Sequence, residues 1–247
     1  MSPLSLIFIL SAAVIVALIG WRWWRRYQTL RQREQVEDAL KHVHACEWRN
    51  GRATLESLCG ALHLSANRAV RLLTQMENDG LLRTSTDGLR LTPEGERMAL
   101  AIIRAHRLLE RYLADEARMP LANVHTEAER REHDLTPAAV DAMEAALGYP
   151  MIDPHGDPIP AKDGTITAVA QQALLQLAIG CSATITRVSD RNSAMLRYAA
   201  ELGLRPGVRV TLIGAEPFGG SLRLKIGRAE CTIGRELAAQ VFVTINE

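Results

Sequence analysis

The stretch HTEAERREH, from His125 to His133, gathers two histidines and three glutamates into one short segment. Imidazole nitrogen and carboxylate oxygen are the donors that divalent ions such as Mn²⁺, Fe²⁺ or Zn²⁺ accept. With no thiolate in the group, a cysteine-rich structural zinc site is a poor match. The surrounding segment, Leu121 to Leu147, is rich in Ala, Glu and Arg, which predicts a helix. On a helical wheel His125, Glu129, Glu132 and His133 fall within an arc of roughly 100° and project from one side, while Glu127 points elsewhere. Upstream, IIRAHRLLERYL places His106 and Glu110 one turn apart on a common face, with Ile102, Ile103, Leu109 and Leu113 available for a core. Two helices therefore offer facing N and O ligands. A solvated helix face also carries charged residues at this spacing, so the pattern by itself leaves both readings open.

The elements that must carry such a site follow from the flanking sequence. From Val36 to Leu91 the chain reads as a helix around VEDALKHVHACEW, a break at Asn50 and Gly51, the helices TLESLCGAL and SANRAVRLLTQMENDG, and a hairpin in RTSTDGLRL turning at Asp87-Gly88. Thr54 and Ser65 stand as N-caps, and Leu55, Leu58, Leu62, Val70, Leu73 and Met76 supply the buried faces. Three helices and a hairpin outline a winged helix-turn-helix. In such a module the second helix of the pair leads into the major groove of double-stranded DNA. Here its leading residues are Ser65, Ala66, Asn67 and Arg68, with Arg71 one turn on; Arg83, Thr84, Ser85, Thr86 and Arg90 on the wing can meet the backbone. Winged helices also serve as protein-contact modules.

After about Gly180 the texture changes to short β-rich runs, ATITRV, RVTLIGA, LRLKIG and VFVTI, separated by turns bearing Gly and Pro, as a small barrel requires. YPMIDPHGDPIPAKDG marks a linker before it. At the other end, PLSLIFILSAAVIVALIG is an uncharged apolar run of membrane-spanning length, followed by WRWWRRYQTLRQR. Trp21, Trp23 and Trp24 fit an interfacial belt, and arginines lying only after the run place the remainder in the cytoplasm. The net charge of +1 leaves DNA affinity to a local patch and to pairing of two subunits. Cys46, Cys59, Cys181 and Cys231 form no C-x-x-C pair, so a disulfide framework is not expected.

The winged helix followed by LTPEGERMALAIIRAHRLLERYL, VHTEAERREHDLT and DPHGDPIP resembles the DtxR/MntR family of metal-dependent repressors, from about Val36 to the end of the chain. The resemblance implies that His106, Glu110 and His125 form one ligand group, and Glu129, Glu132 and His133 a second, switching group, to which the first helix of the winged domain adds Asp38. The iron-responsive branch usually carries Cys where Glu129 stands, so the hard oxygen tilts the reading toward manganese. Lys41 departs from the manganese branch, which has a second acid there. MLRYAAELGLRPGVRVTLI resembles the FeoA/SH3-like domain that follows the metal domain in many members. In some iron-type members that domain adds ligands to the first group, at positions that Ser189, Asp190 and Asn192 match loosely.

The expected fold is α+β: a transmembrane anchor (1–24), a basic tether (25–34), a winged helix-turn-helix (35–96), an all-α metal-binding and dimerisation domain (97–150), a Pro-rich linker (151–172) and a small SH3-like β-barrel (173–247). The function implied is that of a non-enzymatic regulator. It is a homodimer that binds a DNA operator in response to Mn²⁺ or Fe²⁺, with Zn²⁺ able to substitute in vitro, and represses metal-uptake genes from the cell's inner membrane. The alternative is an anchored metal sensor acting by protein contact on a metal transporter through its C-terminal domain. A metalloenzyme is disfavoured because no nucleophile motif or phosphate loop accompanies the ligands.

Overall fold

A computed structural model describes residues 3–167 and 170–245, with the side chains of 3–17, 19, 23 and 122 left out of the description. The chain divides into two compact units, Met1–Ala99 and Leu100–Glu247.

In the first unit, helix α1 (Pro3–Trp48) is a single element. Its last third packs Val36, Ala39, Leu40 and Val43 into the core. Helix α2 (Leu55–Leu62) starts at a capping box in which Thr54 and Ser57 exchange side-chain and backbone bonds, satisfying two otherwise orphaned N–H groups. Helix α3 (Ala66–Asn78) buries Ala69, Leu72, Leu73 and Met76, the i, i+3, i+4, i+7 spacing of one face. Val70, expected inside, lies one position off that face and is exposed. Ser65 occupies the N-cap position of α3 but makes no side-chain capping bond. Strands β1 (Leu82–Ser85) and β2 (Gly88–Leu91) pair antiparallel in a register that runs from Leu82↔Leu91 to Ser85↔Gly88. The turn is therefore Thr86-Asp87, one residue earlier than the Asp-Gly signal suggests.

The expected membrane-spanning helix over 1–24 is corrected: among the described residues, no helix is long and apolar enough to cross a membrane. Helix α1 continues without a break through Arg22, Arg25, Arg26, Arg31 and Arg33 into the winged core, and among its described side chains the stretch is too charged to meet the length and apolarity a span requires. The apolar run falls mostly on positions outside the described side chains. The membrane partner and inner-membrane location rested on that span and are withdrawn with it.

In the second unit, α4 (Pro93–Asp115), whose first turns belong to the first unit, buries Ala105, Leu108, Leu109 and Leu113. Leu109 and Leu113 pack with Val124 and Ala128 of α5 (Leu121–Arg131). Ala105 and Leu108 pack with Ile159 and with Val140 of α6 (Pro137–Ala146). The single helix expected over Leu121–Leu147 is thus two helices joined by a 3-10 turn at Glu132–Asp134. Pro137 lacks the N–H that a continuing helix needs and disfavours helical geometry at Thr136, which instead caps α6 by accepting the N–H of Ala139.

The C-terminal sheet comprises β3 (Gln172–Ala173), β4 (Ser182–Val188), β5 (Arg209–Ala215), β6 (Leu222–Ile226), β7 (Ala229–Ile233) and β8 (Val241–Ile245). In the part expected to form a small SH3-like barrel, the described strands pair as one six-stranded antiparallel sheet in the order β3-β8-β4-β5-β6-β7. Bulges interrupt β4 at Ile185/Arg187 and β5 at Leu212/Gly214. Helices α7 (Ser193–Glu201) and α8 (Arg235–Ala238) complete this part, and α7 packs against α5.

Candidate metal centre

Helix α4 presents His106 and Glu110 beside its apolar stripe, so both are buried, and α5 brings in His125. Glu110 Oε1 stands 3.1 Å from His106 Nε2 and 2.9 Å from His125 Nδ1, and those two nitrogens are 3.1 Å apart. The imidazoles meet edge-on, their centroids 4.9 Å apart. Donor atoms about 2.1 Å from one ion stand about 3.0 Å apart when they occupy neighbouring octahedral positions, so this triangle has the dimensions a Mn²⁺- or Fe²⁺-sized ion needs. The other oxygen, Glu110 Oε2, faces Nδ1 of His155 at 3.7 Å, and among the described residues both atoms are buried without a hydrogen-bond partner. Orphaned buried polar atoms on facing acid and imidazole groups are what a bound cation would satisfy.

The electrostatics agree. Burial disfavours the carboxylate of Glu110, but its contacts with His106 and His125 and the facing imidazole of His155 hold its carboxyl well below the usual range. Burial likewise opposes the imidazolium of His125, yet Asp190, Glu110 and Glu129 outweigh it and push its pKa up to about 12. His155, desolvated but facing Glu110, is pushed up to about 9.

Of the second expected group, Glu132 and His133 sit in the 3-10 turn after α5, with His133 Nε2 3.6 Å from Glu132 Oε1. Glu132 is buried, and its Oε2 meets Nδ1 of His106. It thus fixes the ring whose other nitrogen faces Glu110, the usual device for orienting a ligand imidazole. Glu129 lies half-exposed with Oε1 3.5 Å from His125 Nε2. Asp38 sits half-buried on α1 and belongs to the first unit.

Two groups at the centre were not among the site residues read from the sequence, and a third, Asp190, was offered only as a loose match by the resemblance. Asp153 and His155 lie in the Pro-rich stretch taken as a linker, and with Glu110 they form a buried second triad of potential ligands. A histidine and two aspartates in close succession were the available signal. Asp190, following β4, places Oδ2 3.2 Å from His125 Nδ1. Its neighbour Asn192 is instead committed to capping α7, accepting the N–H groups of Ala194 and Met195. The N–H of Ser189 donates to Gln240 O.

On the winged unit, Ser65, Asn67, Arg68 and Arg71 are all exposed along the leading part of α3, as are Thr84 and Ser85 on the wing. The wing tip is internally tied: Ser85 Oγ lies 2.6 Å from Asp87 Oδ1, and Arg90 bonds the same carboxylate at 2.5 Å. Those bonds hold the Asp87 carboxyl far below its usual range. Thr84 donates its N–H to Glu77 of α3 at 2.9 Å, fixing the wing to the helix. The four cysteines are free.

Residues 92–161 match the family described as iron dependent repressor, metal binding and dimerisation domain, and residues 172–245 match the FeoA domain. The iron-dependent repressor IdeR of Mycobacterium leprae (strain TN) is 30% identical over 196 residues, spanning 74% of this chain and 84% of that protein. IdeR of Mycobacterium tuberculosis (strain ATCC 25618 / H37Rv) is 32% identical over 195 residues, 69% of this chain and 80% of that one. A solved manganese-dependent transcriptional repressor in complex with manganese is similar in structure at a TM-score of 0.80 and 32% identity, over 85% of this chain and 100% of that one.

Proposed function

This chain belongs to the DtxR/MntR family of metal-dependent transcriptional repressors, and from that membership we propose that it is a dimeric repressor whose DNA binding responds to Mn²⁺ or Fe²⁺. The observation that carries the metal reading is the convergence of His106, Glu110 and His125 within hydrogen-bonding distance of one another. With Asp190, these residues would hold one ion. Glu129, Glu132 and His133 form the second ligand group of this reading, and the family resemblance adds Asp38 to it. The relatives' names include both iron- and manganese-dependent repressors. Glu129, a hard oxygen donor, favours Mn²⁺ over the softer end of the series.

A bound divalent ion would supply positive charge that neutralises the carboxylates and replaces the protons on the histidines. The chain's own groups do the rest. Glu132 fixes the orientation of His106, and Asn67, Arg68 and Arg71 are available to base edges and phosphates. Dimerisation would double the reading surface and match it to a two-fold operator.

The test is capture of genomic DNA fragments by the purified chain with and without Mn²⁺, followed by a gel-shift titration of the recovered sequence. Wild type should bind only with metal, and Glu132→Ala should abolish the metal stimulation while leaving a folded protein. An unchanged metal response in Glu132→Ala would remove Glu132 from the switch. Failure to recover DNA under any metal would favour a sensor acting by protein contact alone.

A further inference from the structure

The metal-binding helices and the C-terminal sheet meet at the loop 153–158, which is held from both sides. On the helical side, Arg107 of α4 donates to Pro158 O and places Nη2 3.7 Å from Asp157 Oδ1. On the sheet side, Arg187 of β4 places Nη1 at the same 3.7 Å from the same oxygen, while its guanidinium lies 3.6 Å over the ring of Phe242. Asp157 is therefore shared by one arginine from each part, with all three side chains mostly buried. The loop is rigid in its own right: Asp153 Oδ1 accepts the N–H groups of His155 and Asp157 at 2.8 and 2.9 Å. Its backbone is pressed against β4. Val188 donates its N–H to His155 O at 2.9 Å, and a Cβ on Gly156, whose φ is +92°, would lie 1.9 Å from Thr186 O.

Two residues beyond Val188 stands Asp190, which among the described residues is the carboxylate that the C-terminal part delivers to His125. We propose that Asp157 is a positioning residue, a buried carboxyl group bridging Arg107 and Arg187 that holds β4 in the register from which Asp190 reaches His125. A carboxylate suits this place because two guanidiniums flank it, and breaking such a pair strands the remaining charges in a poorly solvated site. Asparagine has the same shape and no charge, so it isolates the electrostatic part.

The proposal rests on the metal reading above, and its test has one arm with metal and one without. Mn²⁺ alone is titrated into the full chain, with the free ion followed by electron paramagnetic resonance, for wild type, Asp157→Asn, Asp190→Asn and the double variant. Asp157→Asn should weaken the site about tenfold, and the double variant should be no weaker than Asp190→Asn, because the first residue acts only through the second. Equal losses in the presence and absence of Asp190, or no loss at all, would overturn it. In metal-free protein, hydrogen exchange at the Val188 amide should be several-fold faster in Asp157→Asn and in Arg187→Gln than in wild type; unchanged exchange in both would also overturn it. Should Asp157→Asn fail to fold, Arg187→Gln takes its place in both arms. If wild type takes up no Mn²⁺, the metal reading fails, and the exchange arm alone decides whether Asp157 is the clamp.

Discussion

Glu110 Oε2 and His155 Nδ1 face each other at 3.7 Å, both buried and, among the described residues, both without a hydrogen-bond partner, although Glu110 lies on α4 and His155 in a loop that follows α6. With Oε1 already between His106 and His125, one carboxylate is the common member of two triads of potential metal ligands. Glu110→Ala should therefore lose both at once. Calorimetric titration with Mn²⁺ should show at least one binding event missing, and the thermal stabilisation that metal confers on wild type should largely vanish. Retention of wild-type stoichiometry would show that neither triad holds metal.

The pH dependence follows from the histidines. His125 stays protonated up to about 12 and His155 up to about 9 in the metal-free chain, so an ion must displace those protons. Mn²⁺ affinity should then rise with pH between about 6 and 8, by about tenfold per unit for each proton released, and a weakly buffered titration should acidify. The stability consequence has the opposite sign. Both folded-state pKa values lie above the usual 6.5, so the stabilisation is complete below that pH and is lost as pH rises through about 9 and then about 12.

Glu129 is half-exposed beside His125, a place where a donor can be exchanged with little effect on the core. Glu129→Cys should shift the metal preference toward Fe²⁺, since a thiolate is the softer ligand. The readout is the ratio of Fe²⁺ to Mn²⁺ concentrations giving half-maximal DNA binding under anaerobic conditions. An identical ratio in the two proteins would exclude Glu129 from the metal's coordination.

Arg68 projects from the exposed leading turn of α3. If it meets a phosphate, Arg68→Ala should weaken binding alike for all sequences and lower the salt dependence by about one unit of slope; if it meets a base, it should cost about 1–3 kcal/mol and relax preference at one position. Fluorescence anisotropy across a salt series distinguishes the two, and no effect of either kind would remove α3 from the interface at that point.

Much of this was legible in the chain itself. The apolar spacing of α3 and α4 and the Thr54 cap mark elements whose causes are local, and the pairing of His106 with Glu110 was visible because helical periodicity is itself a distance rule, whereas the grouping of His125 with them came from the family resemblance. One failure was local: Pro137 ends the helix that would have carried Glu132 and His133 onward. The roles of His155, Asp153 and Asp190 could not be read this way. They reach Glu110 and His125 only when a Pro-rich loop folds back and the segment after β4, with α7 packed on α5, comes up to that helix, and such approaches depend on packing across long stretches of chain that no periodicity records. The sequence by itself determined which residues could bind metal. The tertiary structure decided which of them share Glu110, because only burial brings side chains from distant segments into one poorly solvated place.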